Sequence, residues 1–285
     1  MKSTRICFGA FGVLMLTAGS TLADGHGAIG DDVIAAQRAA LAKNTQGAGF
    51  GPQSPRDLET LSGNNARAFG TAPAFTQMNL CNIHFHENAE HRGGEFTAFA
   101  GNGDGAGAGT GFRYNGTLSE AELTPLGRTI GAGKYGDLAP GDTIELHYVH
   151  TTAQVAPGPT LGACLAESIG NPQLRVEAQV YVLVNDPEAA DFVTLTQVEQ
   201  VDGLYQAVNI PTDTGTPIAY NGSTTGPSFN EQGSPLQVSW SVRPEVMKVS
   251  ITSVETWLSD NIFSEGEAHG VRNLVVNPDL ISDIN

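Results

Sequence analysis

The sequence predicts a mainly β domain entered through one N-terminal helix. Three observations point there. From Asn79 onward, short runs alternate apolar and polar residues and are broken by Gly, Pro, Asn and Asp. Helical periodicity is scarce after residue 60. Without a predicted leader the chain runs from Asp24 to Asn285, about 262 residues, a length that suits one all-β domain.

The leader comes first. Lys2 and Arg5 precede an apolar run over residues 6–16, and a small-residue exit ends at Ala23. That order is a secretory signal peptide over residues 1–23, cleaved near Ala23–Asp24. An uncleaved anchor is the alternative, although the apolar run is too short to span a membrane as a helix. No later segment is apolar enough to span, so the mature protein is expected to be exported, periplasmic or secreted, and soluble. Residues 31–43 read as one alanine-rich helix, opened by Asp31 and Asp32 and closed by Lys43. Residues 24–49 are therefore helix and linker. The clearest strands are residues 79–86, 143–150, 174–184, 236–242 and 246–253. Residues 119–123 read as a turn. The glycine-rich run 101–109 weakly resembles one copy of a glycine–aspartate calcium repeat, but a single copy cannot stack, and a surface loop is the reading.

The full chain carries 14 basic and 30 acidic residues, for a net charge of −16. Loss of the leader removes two of the basic residues and leaves about −18. Such a charge repels nucleic acid and anionic membranes, so neither is expected as a partner. Cys7 leaves with the leader. The remaining pair, Cys81 and Cys164, suggests a disulfide in an exported chain, with two buried free thiols as the alternative.

The chemistry concentrates in two strands. His84 and His86 are one residue apart and project to the same face. On the second strand Glu145 and His147 share a face, while His150 points away. Three neutral imidazoles from neighbouring strands would bind Zn²⁺ and leave its fourth position open, the form of a catalytic site. Cys81 has the parity of Ile83 and Phe85, which turns it away from the histidines. Glu145 would accept the outer N–H of a ligand imidazole and fix its tautomer, the alternative being a solvated carboxylate.

Five segments in order resemble the carbonic anhydrases of the alpha type, most of all their delta class. Gln53-Ser54-Pro55 is similar to the family's N-terminal signature, and the segment from Asn64 to Phe69 to its Asn-Asn-Gly-His-Ala-Phe. His84-Phe85-His86 followed by Ala89-Glu90-His91 resembles its His-x-His strand and following turn. Glu145-Leu146-His147 matches its third-ligand strand. Tyr220-Asn221-Gly222-Ser223-Thr224-Thr225 resembles its Tyr-x-Gly-Ser-Leu-Thr-Thr loop, one residue shorter.

The resemblance implies a single catalytic domain over residues 50–285, with a largely antiparallel central sheet and the metal at the base of a cleft. It implies zinc held by His84, His86 and His147, with Glu145 orienting His147. A threonine, Thr224 ahead of Thr225, would accept the proton of zinc-bound hydroxide, and Glu90 would accept that threonine's proton. The substrate would be carbon dioxide, reversibly hydrated to bicarbonate and a proton. The family's shuttle histidine falls at Arg67, which holds its proton near neutral pH. His91 is the substitute expected, ahead of His26 and His269. A cupin is the competing reading, with Glu90 as a fourth ligand to iron or manganese. A non-catalytic zinc-binding protein on the same scaffold is the third. The oligomeric state is not encoded in any motif.

Overall fold

The structure is a computed structural model that describes residues 27–67 and 70–284. The predicted leader, His26, Ala68 and Phe69 lie outside the described residues. The helices are α1 (Asp31–Thr45), α2 (Phe192–Leu195) and α3 (Ile251–Ser259). The first strands in chain order are β1 (Asn79–Glu87), β2 (Ala98–Asn102), β3 (Thr110–Arg113), β4 (Ile130–Gly133), β5 (Gly136–Leu138) and β6 (Thr143–Thr151). They are followed by β7 (Leu174–Val184), β8 (Val198–Val201), β9 (Leu204–Ala207), β10 (Ile218–Ser223), β11 (Gln237–Val242) and β12 (Met247–Ser250).

A central six-stranded sheet runs β1-β6-β7-β11-β10, with β12 also on β7. The β1–β6, β6–β7 and β10–β11 pairings are antiparallel. Strand β7 forks on its other edge. Its first half pairs parallel to β11, Leu174 to Ala178 against Val238 to Val242, and its second half pairs parallel to β12. The apolar run Val180 to Val184 fits that position, because it is buried on both faces of the sheet.

One face of the sheet packs Ile83, Phe85, Leu146, Tyr148 and Tyr181 against Phe192, Val254 and Trp257. The other face carries Val149, Val176, Val238 and Trp240. Each large apolar side chain so buried stabilises by about 1.5–3 kcal/mol.

Two readings are corrected. Residues 246–253 are not one strand: β12 ends at Ser250 and α3 begins at Ile251. Ile251, Val254 and Trp257 recur every third residue and make one buried stripe, a helical period hidden by β-branched residues. Cys81 does not share the side of Ile83 and Phe85. It is the extra residue of a β-bulge between Leu80↔His150 and Asn82↔Val149, and it packs with Val149 and Cys164. Cys81 and Cys164 form a disulfide.

The glycine-rich loop is built around Asp104, whose Oδ1 accepts the amides of Ala106 and Ala108. It docks on α1, where Gln37 Nε2 donates to the Gly105 carbonyl at 2.9 Å. No helix among the described residues is long and apolar enough to cross a membrane.

Candidate metal centre

The register sets the site. His84 lies directly opposite His147, and His86 opposite Glu145, so all four side chains leave β1 and β6 on one face. Strand β1 is an edge of the sheet, and residues after α3 cover it: His269 N–H donates to the Phe85 carbonyl and Glu87 N–H to the His269 carbonyl. That segment delivers Gly270 to the site.

Each imidazole is anchored by its outer nitrogen. His84 Nδ1 donates to Asn82 Oδ1 at 2.6 Å. Asn82 is held in that orientation by its own Nδ2, which donates to the Gly158 carbonyl. His86 Nδ1 donates to the Gly270 carbonyl at 3.0 Å. His147 Nε2 donates to Glu145 Oε1 at 3.0 Å. These acceptors fix the tautomers, leaving lone pairs on His84 Nε2, His86 Nε2 and His147 Nδ1.

The residues fit a metal ion on three counts. Their ligand atoms all lie within 4.8 Å of one another. His84 Nε2 and His147 Nδ1 stand 3.3 Å apart, about the separation that two 2.0–2.1 Å bonds subtend in a tetrahedral zinc site. His86 Nε2 is buried with no hydrogen-bond partner among the described residues. Lone pairs so close repel unless a cation sits between them. Burial, and then the neighbouring imidazoles, hold His84 and His86 well below the usual histidine range, and burial likewise lowers His147. The three rings are therefore neutral at pH 7, as a metal requires.

Behind them runs a buried chain of hydrogen bonds. Glu145 Oε2 accepts the amides of Glu90 and His91, and Oε1 accepts His91 Nδ1–H at 2.6 Å. His91 Nε2 accepts from the Tyr220 hydroxyl at 2.6 Å, and Tyr220 meets Ser54 Oγ at 2.9 Å. Burial alone would raise Glu145, but His91 and the hydrogen bonds from both histidines outweigh it and hold the carboxyl well below its ordinary range. Gln53 and Ser54 tie this chain to the end of β10 and the loop beyond it: Ser54 N–H donates to Ser223 Oγ, and Gln53 Oε1 accepts the Ser234 amide.

Three sequence expectations meet the geometry here. His91 is not placed to shuttle protons. It is fully buried, both ring nitrogens are engaged, and it does not line the metal cavity. Arg67 lies in a separate surface hollow beside Phe50 and Asn277. His269 does line the cavity, its ring centroid 4.9 Å from that of His84, with 41% of its side chain exposed and Nε2 donating to Glu265 at 2.7 Å. The two candidate threonines differ in their neighbours. Its hydroxyl is bound to Ser234 Oγ, whereas the Thr225 hydroxyl interacts with Glu90. Gly226, at φ 115°, turns the chain immediately afterwards, a conformation open to glycine.

Glu90 is buried beside that threonine. Burial, and then the charge of Glu145, push its pKa up to about 8, while Thr225 and the Arg272 amide draw it down. Those two contacts are long, since neither carboxylate oxygen has a close donor among the described residues. Glu90 also approaches the outer nitrogens, 3.5 Å from His86 Nδ1 and 3.8 Å from His147 Nε2. It thus stands behind the rings of His86 and His147 and belongs to neither residue set that could hold a metal ion among the described residues. Asn82 and Gly270 were missed from the sequence. The first was legible, because it shares the parity of His84; a backbone carbonyl has no sequence signal.

A family model of the delta carbonic anhydrases matches residues 75–253. The chain belongs to the delta carbonic anhydrase family. That match takes in all three histidines, Glu90, Glu145 and the threonine loop, and makes the protein a carbonate dehydratase. Among solved structures the chain is similar to the alpha-carbonic anhydrase of Photobacterium profundum, at 18% identity and a TM-score of 0.28, covering 87% of this chain and 96% of that one. It is also similar to the alpha-carbonic anhydrase of Thermovibrio ammonificans in complex with the inhibitor sulfanilamide, at 13% identity and a TM-score of 0.29, covering 78% of this chain and 84% of that one. No curated protein matches the chain. As a delta carbonic anhydrase it is not a cupin.

Proposed function

We propose that this carbonic anhydrase is an exported zinc enzyme that hydrates carbon dioxide to bicarbonate at the centre formed by His84, His86 and His147. The carrying observation is the convergence of three neutral lone pairs, each fixed by an acceptor on the far side of its ring. Bound zinc would supply a water acidified to a pKa of about 7, a value known for carbonic anhydrases themselves.

The chain's own residues do the rest. Glu90 accepts a hydrogen bond from the Thr225 hydroxyl, so that the threonine oxygen turns its lone pairs to the cavity and orients the attacking water species. Next to a bound dication Glu90 would lie below its metal-free value and stay an acceptor at neutral pH. Val149, Leu174, Val176, Val238 and Trp240 line one wall of the roughly 250 Å³ cavity. That wall suits a small uncharged substrate and offers nothing to a charged product. His269, half in solvent, carries the released proton outward. The disulfide supports an oxidising compartment, periplasmic or extracellular.

Metal analysis with stopped-flow carbon dioxide hydration tests this reading on wild type, His86→Ala and Glu90→Gln. The wild type should hold one zinc and turn over. His86→Ala should lose both, and Glu90→Gln should keep zinc and lose rate. A wild type that holds zinc without hydrating carbon dioxide would make the protein a non-catalytic zinc binder.

A further inference from the structure

The glycine-rich loop stands directly behind the wall of the metal cavity. Gly107 is buried, at φ 115°. A methyl group there would come within 2.9 Å of Pro227 Cβ and 3.1 Å of Tyr135 Cε1, and both of those residues line the cavity. Pro227 lies two residues after Thr225. The Gly107 carbonyl accepts the Val271 amide at 2.9 Å. Val271 follows Gly270, whose carbonyl anchors His86 Nδ1. One glycine therefore backs both the threonine loop and the segment that orients a histidine of the metal centre.

Gln37, on α1, joins that loop to both segments. Its Nε2 donates to the Gly105 carbonyl at 2.9 Å, and its Oε1 accepts from Asn273 Nδ2 at 2.6 Å. The Asn273 amide donates to Asn230 Oδ1 at 2.8 Å, and Asn230 Nδ2 reaches back to the Gly105 carbonyl at 3.4 Å. The four residues close a ring. Asn230 and Asn273 are buried and Gln37 is half-buried, so water competes poorly for these bonds. Asn230 lies five residues past Thr225, and Asn273 three past Gly270. We propose that Gln37 is a positioning residue of the metal centre. Through its amide, α1 holds the glycine-rich loop against Pro227 and Val271, and so fixes the Thr225 hydroxyl and the Gly270 carbonyl. Zinc as the metal rests on the proposed function, whereas the link from Gln37 to Val271 does not.

Zinc release to a chelator tests this on the wild type, Gln37→Ala and Gln37→Glu. Alanine suits a helix, so the first variant should fold. Gln37→Glu keeps the acceptor for Asn273 and loses the donor to Gly105. Both should release zinc about tenfold faster than the wild type, the lower end of what a lost outer partner costs a metal site. Asn44→Ala is the control: it removes another tether of α1, from Asn44 Nδ2 to the Glu231 carbonyl at 2.8 Å, and should release zinc at the wild-type rate. In metal-free protein, followed by NMR, the Val271 amide should exchange with solvent at least tenfold faster in both Gln37 variants. Wild-type zinc release by either Gln37 variant, or equal acceleration in Asn44→Ala, overturns the proposal. A wild type that binds no zinc ends the proposed function instead, and Val271 exchange then decides alone: an unchanged rate overturns the role of Gln37.

Discussion

At the residue scale, the Thr225–Glu90 contact separates two adjacent threonines that are chemically identical in the sequence. Thr225→Ala is expected to lower kcat by about 100-fold, the usual cost of one lost orienting hydrogen bond in an active site. Thr224→Ala, which loses a bond to Ser234, should cost less than tenfold. Stopped-flow hydration at saturating carbon dioxide checks both, and equal losses would restore Thr224 as the orienting group. His269→Ala should slow turnover, and imidazole buffer should restore it; a variant as fast as wild type in weak buffer would mean that another group carries the proton. The three histidines and Glu145 could be read in advance because strand parity is arithmetic. The threonine choice could not, since it depends on where Gly226 turns the chain. The burial of His91 was not legible either, because adjacency to Glu90 does not reveal whether a ring faces a cavity or a core.

At the scale of elements, β1, β6 and β7 were legible from alternation, and the Leu174–Val184 strand matched its predicted bounds. The bulge at Cys81 was not, because one extra residue leaves no compositional mark yet switches its side of the sheet. That switch brings Cys81 to Cys164, at a sequence separation of 83. Replacing both cysteines by serine should lower stability by about 4 kcal/mol on the chain-entropy account of a loop this long. Urea denaturation of the double variant measures the loss, and an unchanged midpoint would mean that the sheet alone fixes these segments. The fork of β7 between β11 and β12 was also invisible, because long-range pairing partners are not encoded locally.

At the scale of the whole molecule, acid is the expected weak point. The folded pKa values of His84, His86 and His147 lie below the ordinary value, and His150, buried with its Nδ1 on the Tyr148 carbonyl, is lowered to about 3. Below about pH 6.5 the unfolded chain then binds more protons than the folded one. The histidine contribution to stability is therefore complete above that pH and falls as pH drops, by up to about 1.4 kcal/mol per unit for each ring, and it outweighs the opposing change from Glu90, whose raised value favours the fold as pH drops. Chemical denaturation of the metal-free protein at pH 7.5 and 5.5 should show the loss, and a flat profile would mean the rings are already charged in the fold. All of this turns on the three imidazoles forming one coordination site. Diffraction from crystals of the purified enzyme, collected on both sides of the zinc absorption edge, tests that directly. The account predicts one anomalous peak about 2.0–2.1 Å from His84 Nε2, His86 Nε2 and His147 Nδ1, with no contact to Glu90. A peak bound by Glu90, or no peak among these rings in a protein that hydrates carbon dioxide, would contradict it.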